Sequence, residues 1–123
     1  MDSEAKPHRK LKIWQAGMDF VTDLYKELEN FPVQEKFALT AQLQRAAVSI
    51  PSNIAEGAAR RNTKELIQFL YVARGSSSEL DTQLEICFRV GHLQSATYHR
   101  FATKLEEMSK MLNGLIAPLK KKS

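Results

Sequence analysis

Side chains that could do chemistry concentrate in two central segments, "SIPSNIAEGAARR" from Ser49 to Arg61 and "YVARGSSSEL" from Tyr71 to Leu80. A catalytic serine needs a neighbouring general base. The histidines lie far along the chain from both segments, at positions 8, 92 and 99. The sequence therefore shows no signature of a catalytic triad, and we predict that the protein is not an enzyme.

Metal ligands and reactive thiols are also not indicated. Carboxylate-bridged metal centres in helical bundles use Glu-x-x-His pairs on two helices, and this sequence contains no such pair. The single cysteine, Cys87, excludes an intrachain disulfide and falls on an apolar helix line, so we expect it to be a small buried hydrophobe. We predict no metal and no cofactor, and the cysteine usage favours the cytoplasm.

Polar residues on the second predicted helix recur at steps of three and four, which places them on one helical face. If the following turn lies near Asn62, residues whose numbers add up to about 124 stand at equal height on the two antiparallel helices. That register sets Arg45 opposite Glu79, where we predict a partly buried ion pair. Together with polar residues that face them from the third helix, these residues form a polar stripe: Arg45, Ser49, Asn53, Glu56, Arg74 and Glu79. The polar stripe serves either as structural polar packing or as a binding or assembly surface.

Basic residues cluster near both termini. The chain holds 18 Lys and Arg against 14 Asp and Glu, and the resulting formal charge of +4 permits an anionic partner without requiring one. In an antiparallel bundle of four helices the two termini lie at the same end, so their clusters would combine. The alternative is that terminal lysines only increase solubility. The candidate phosphate contacts are Arg9, Lys10, Lys12, Lys120, Lys121 and Lys122.

Apolar residues at alternating steps of three and four predict four helices, at about residues 11–29, 34–60, 63–91 and 95–120. The first helix carries two neighbouring apolar lines. One bundle core cannot use both, so the surplus line predicts an oligomer. The first line is Leu11, Trp14, Met18, Val21, Tyr25 and Leu28, and the second is Ile13, Gly17, Phe20 and Leu24.

Single residues predict a kink in the second helix and the two ends of the third. The apolar residues keep their three-and-four spacing across Pro51, which predicts a kinked but continuous second helix. Asn62, with Glu65 three residues later, predicts the N-cap of the third helix, and Gly91 is a plausible C-cap for it.

The predicted fold is an all-α, antiparallel, up-down-up-down four-helix bundle. No strand-like alternation competes with the helical pattern, and the short links force sequential helices to run antiparallel. The 123 residues suit a single domain, 1–123. No apolar run approaches the ~18 residues of a membrane span, so we expect no membrane insertion.

Several segments of the chain form a specific combination: Trp14, the "FP" of Phe31 and Pro32 followed by Glu35, "LTAQLQRAAVSIPSNIAEG" at 39–57, "FLYVARGSSSEL" at 69–80 and "MLNGLI" at 111–116. In these segments the chain resembles the bacterial four-helix bundle proteins encoded within intervening sequences of large-subunit ribosomal RNA genes. The resemblance covers nearly the whole chain.

This family looks related to the accessory variability protein of diversity-generating retroelements. That protein is a pentameric barrel of four-helix protomers whose basic surface binds nucleic acid and the element's reverse transcriptase. The resemblance therefore implies a homopentamer here, with RNA or DNA and a protein such as a reverse transcriptase as candidate partners.

Overall fold

The computed structural model describes residues 6–122, which form four long helices joined by short connections. Adjacent helices run antiparallel and each packs on two neighbours, with the most extensive contact between the second and third. Residues 6–122 contain no strand, and the predicted four-helix bundle is confirmed. The helices are α1, Lys12–Leu28; α2, Leu39–Ala58; α3, Thr63–Arg89; and α4, Ser95–Lys122.

The predicted bounds agree with three helices to within two residues, but α2 begins at Leu39 instead of residue 34. The intervening Val33–Glu35 forms a short 3-10 turn, and Ala38 has non-helical angles, φ −119° and ψ −109°. The Leu39 N–H donates a hydrogen bond to Glu35 Oε1 at 3.4 Å. The apolar spacing therefore predicted too early a start for α2. The residues before Leu39 form a connection in which the Glu35 side chain accepts a hydrogen bond from the first residue of the helix.

The core uses the second of the two apolar lines on α1. Phe20 and Leu24 are each 1% exposed, and Phe20 meets Phe101 of α4 edge-on at a centroid distance of 5.4 Å. In the first line, Met18 and Tyr25 are each 42% exposed. The surplus apolar line predicted for this helix is therefore the first one: its Met18 and Tyr25 lie at the surface, although Leu28 is buried and the other three members are half-buried.

Contacts between α2 and α3 show the register predicted for this hairpin. The hydroxyls of Ser49 and Ser76 lie 2.8 Å apart. Further along, Gly57 meets α3 so closely that an added Cβ would lie 2.8 Å from Phe69 Cβ and 3.2 Å from Leu66 Cδ1. Only glycine fits this crossing without displacing a neighbour.

Helix α2 continues through Pro51, as the unbroken apolar rhythm predicted. The Pro51 side chain is buried beside Gly17 of α1, where an added Cβ would stand 3.4 Å from Pro51 Cδ. Packing against α1 thus accommodates a residue that an isolated helix would not tolerate.

Both predicted caps of α3 are present. The Glu65 N–H donates to Asn62 Oδ1 at 2.9 Å, which satisfies one of the first-turn amides. Gly91 has φ +89°, a backbone conformation that favours glycine, and the His92 N–H donates to the Cys87 carbonyl at 2.8 Å. The chain therefore leaves α3 in a glycine-dependent turn.

Candidate functional site

Four chain segments meet at one end of the bundle, because adjacent helices are antiparallel: the starts of α1 and α3 and the ends of α2 and α4. The 3-10 turn Pro7–Lys10 packs on α1 and α2 there. Within residues 6–122, the carboxylates among these segments are those of Glu56 and Glu65. We call the basic residues of this region the basic end: Lys6, Arg9, Lys10, Lys12, Arg60, Arg61, Lys64, Lys120, Lys121 and Lys122.

Two arginines of the basic end are held against aromatic rings. The Arg9 guanidinium lies 5.2 Å from the centroid of Trp14, and that of Arg60 lies 4.9 Å from the centroid of Phe69. Arg60 also pairs with Glu56 at 2.7 Å. Such contacts fix the direction of a guanidinium while its edges stay able to bind an anion.

An open groove of about 420 Å³ adjoins the basic end between α3 and α4. Tyr71 forms part of its wall, with the Arg74 guanidinium 4.7 Å and Lys120 Nζ 5.9 Å from the ring centroid. Arg74 also donates to Asn113 Oδ1 at 3.0 Å. We call it the Tyr71 groove, and its lining residues are Lys64, Glu65, Ile67, Gln68, Tyr71 and Lys120.

Part of the polar stripe forms a cluster between α2 and α3. Asn53 Nδ2 donates to the Ser49 carbonyl at 2.8 Å and to Ser49 Oγ at 2.9 Å, and Ser49 Oγ meets Ser76 Oγ. All three side chains are partly buried. These contacts are structural polar packing, because each polar atom involved is satisfied inside the helix pair.

The predicted ion pair between Arg45 and Glu79 is wrong. Both residues are exposed, Arg45 borders a groove beside Tyr25 of α1, and Glu79 instead accepts a hydrogen bond from Gln83 Nε2 at 3.2 Å. The two residues do stand at similar heights. Their side chains project away from the α2–α3 interface, which residue spacing along a single helix did not reveal.

A partly buried cluster of titratable side chains lies at the opposite end of the bundle. His92 Nε2 stands 3.0 Å from Glu35 Oε2, and the His92 ring is 5.6 Å from that of Phe31. Burial, together with the negative charge of Glu35, raises the pKa of Cys87 to about 11. The thiol is therefore protonated and shielded at neutral pH.

Residues 6–122 contain no cluster of three or more His, Cys, Asp or Glu side chains placed to hold a metal ion. In the same range no helix combines the length and apolar character needed to cross a membrane.

An apolar strip runs along the outside of α1 and α2. Met18 and Tyr25 are each 42% exposed and Val48 is 40% exposed, and the half-buried Val21 adjoins them. Two open grooves, of about 570 and 610 Å³, share Tyr25 and Val48 in their walls. We call these four residues the apolar side.

Residues 9–114 match the 23S rRNA-intervening sequence protein family. The chain belongs to this family. The match includes the basic residues at the start of α1 and at the α2–α3 turn, but it stops before Lys120, Lys121 and Lys122.

A crystal structure from Bacteroides thetaiotaomicron, of a protein with unknown function from the S23 ribosomal protein family, is similar to this chain. Its TM-score is 0.76 at 25% identity, over 85% of this chain and 98% of the other. A search of curated proteins found none that matches. The similarity to this structure agrees with the observed fold, and neither the family description nor that of the neighbour indicates a catalytic activity.

Sequence reasoning missed the contribution of the α2–α3 turn to the basic end. Arg60, Arg61 and Lys64 all lie at this turn, beside the two terminal clusters. The signal was present in the segment "RRNTK", because the same antiparallel topology that brings the termini together also brings this turn to them.

It also missed an ion-pair cluster between α1 and α4. The Asp23 carboxylate accepts hydrogen bonds from Arg100 and from Lys104, the latter at 2.9 Å. Burial alone would raise the pKa of Asp23, but the hydrogen bonds and positive charges of Lys104 and Arg100 outweigh it, so this pKa lies below its ordinary value.

We expect Asp23→Asn to lower the free energy of unfolding by about 1 kcal/mol at pH 7, a modest amount because both cations are partly exposed. A depressed folded-state pKa stabilises above the unfolded value, near 3.8, and this contribution is lost as the pH falls through the folded value. Urea denaturation at pH 7 and at about pH 2.5 measures both effects. The exposed Asp19, replaced by Asn, is the control, and equal losses in both variants would contradict the prediction.

Proposed function

We propose that this protein is a noncatalytic homo-oligomeric adaptor that binds nucleic acid through its basic end. The observation that carries the proposal is the gathering of basic residues from four chain segments at one end of the bundle. Of the two carboxylates there, that of Glu56 is paired with Arg60. A positive surface of this kind attracts the phosphate backbone without reading its sequence.

Assembly would strengthen such binding. A formal charge of +4 per chain is modest, so the proposal depends on the concentration of charge at one end and on its repetition in an oligomer. Copies that present their basic ends together would turn individually weak phosphate contacts into one multivalent surface.

The apolar side supports self-association. Met18, Tyr25 and Val48 are too exposed to contribute fully to the core of one chain, and a neighbouring copy would remove them from water. The number of five comes from the resemblance to the accessory variability protein of diversity-generating retroelements. The same resemblance makes a reverse transcriptase the candidate protein partner.

The noncatalytic part of the proposal rests on the state of the titratable groups. His92 and Glu35 form a histidine–carboxylate pair, but the nucleophile near them is the buried thiol of Cys87 with its raised pKa. A free thiol suits a reducing compartment, so a cytoplasmic location belongs to the same proposal.

The alternative is a structural or protein-docking module with no role in nucleic-acid binding. It is favoured by the end of the bundle opposite the basic end, where Val33 is 83% exposed and Phe37 is 88% exposed. Large apolar side chains at such exposure are typical of contact with another protein. The two functions differ in one measurable property, which is affinity for RNA or DNA at low salt.

We expect wild-type protein to shift structured RNA and duplex DNA in gels at low salt, with affinity that falls steeply as salt rises, because bound phosphates release counterions. Removing the tail after Leu119 and replacing Arg9, Lys10 and Lys12 by Gln should together weaken binding at least ~10-fold. Circular dichroism should show unchanged helicity. Sedimentation equilibrium should give about five times the 14.0 kDa of one chain, before and after these changes.

The control matched in charge to the Arg9, Lys10 and Lys12 replacements alone changes Lys26, Lys36 and Arg89 to Gln, because these exposed cations lie at the opposite end of the bundle. This variant should bind like wild type. Equal losses in both variants would show attraction to net charge alone, and no binding by wild type at low salt would favour the protein-docking alternative. A mass of about one chain would contradict self-association.

A further inference from the structure

We infer that the Tyr71 groove seats one unpaired nucleotide, with the base against Tyr71 and Ile67 and the phosphate between Lys64 and Lys120. The inference rests on the proposed function and names its substrate class: single-stranded nucleic acid, or a strand with bases outside a duplex. The groove adjoins the basic end, so a strand attracted there passes beside it.

The lining fits a nucleotide better than a bare phosphate. Ile67 is 7% exposed and gives an apolar floor, and Tyr71 adds an aromatic wall. Gln68 can both donate and accept hydrogen bonds, and the Glu65 carboxylate accepts them from base N–H or ribose hydroxyl groups. That carboxylate would repel a lone phosphate, whereas a nucleotide offers it donors.

Two cations contact the Tyr71 ring, at different distances from its centroid. Arg74 lies closer to the ring and is also bonded to Asn113, so its position is fixed by two partners. Lys120 lies farther, at 5.9 Å, on the long side chain of a lysine near the end of α4. A base that stacks on the ring replaces Lys120 there, and the ammonium group then pairs with the phosphate of the same nucleotide.

Duplex nucleic acid does not offer this contact. Its bases are stacked on one another, and sequence-tolerant stacking on aromatic side chains is characteristic of unpaired strands. The basic end attracts both forms through their phosphates, but the Tyr71 groove adds affinity only for the single strand. Removing the Tyr71 ring should therefore weaken the affinity for the single strand and leave the affinity for the duplex nearly unchanged.

The test is fluorescence anisotropy with labelled oligo(dT) of about 16 nucleotides and with a DNA duplex of the same length. Tyr71→Leu keeps an apolar side chain but removes the ring, and it should weaken oligo(dT) binding ~10-fold while duplex binding changes less than about twofold. Tyr71→Phe keeps the ring and should bind oligo(dT) like wild type. Phe37→Leu, which removes an exposed aromatic ring at the opposite end of the bundle, should change neither affinity.

Any result that differs from these expectations overturns the inference. Equal losses for both ligands in Tyr71→Leu would mean that the ring only holds Arg74 and Lys120, and an unchanged affinity would mean that no base stacks there. A loss in Tyr71→Phe equal to that in Tyr71→Leu would also exclude stacking. If wild type binds neither ligand, the proposed function fails together with the inference. If wild type binds and Tyr71→Leu binds equally well, only the inference is refuted.

Discussion

Cys87 should react with iodoacetamide at pH 8 at least ~100-fold more slowly in the native protein than an unperturbed exposed thiol does. The thiolate is the reacting form, and a pKa raised by about two units from the ordinary 9.0 reduces the thiolate fraction about 100-fold. Cys87 is also 0% exposed, so reagent reaches it only when the core opens. Mass spectrometry of samples quenched over time measures the rate.

A matched control moves the thiol to the surface of the same helix. In a Cys87→Ala background, Ser78→Cys places a cysteine at an exposed position of α3, and it should react at the ordinary rate. In concentrated urea the wild-type and control proteins should react alike. Rapid labelling of native Cys87 would mean that this part of the core opens easily, and it would reopen the question of a reactive thiol beside Glu35 and His92.

Gly57→Ala should lower the free energy of unfolding by about 2 kcal/mol, although alanine is the better helix former. The added methyl group would stand 2.8 Å from Phe69 Cβ, an atom attached directly to the α3 backbone, so rotating a side chain cannot relieve the clash. The two helices must separate instead. Urea denaturation with a common m-value measures the loss.

Gly75→Ala is the control, because Gly75 lies inside α3 and an added Cβ meets no atom within 4 Å. Here only helix propensity acts, and we expect stabilisation by about 1 kcal/mol. The same chemical change should thus have opposite signs on two neighbouring helices. Similar effects at both glycines would show that α2 and α3 do not approach as closely as these distances require.

The bundle separates two kinds of surface. The basic end lies at one end of the bundle, and the exposed Val33 and Phe37 lie at the other, about the length of a helix away. Under the proposed function, this separation lets a nucleic acid and a protein contact the same chain without competing. It suits an adaptor, and the salt-dependence and variant experiments above test its nucleic-acid half.

Local interactions explain what the sequence predicted correctly. Steps of three and four residues predict helices because 3.6 residues make one turn, and the Asn62 cap and the Gly91 turn depend only on residues near them in the chain. The α2–α3 register also followed from sequence, because a short turn fixes which residues of an antiparallel pair stand at equal height. The contact between Ser49 and Ser76 is consistent with that register.

What only the tertiary structure decided is how each helix is rotated about its own axis. Periodicity gives the angles between side chains of one helix, but the face that turns toward a neighbour depends on how all four helices pack together. Two apolar lines on α1 were equally good candidates for the core, and packing selected the line with Phe20. The same rotation turned Arg45 and Glu79 away from each other at similar heights, and it brought Tyr71 of α3 beside Lys120 of α4.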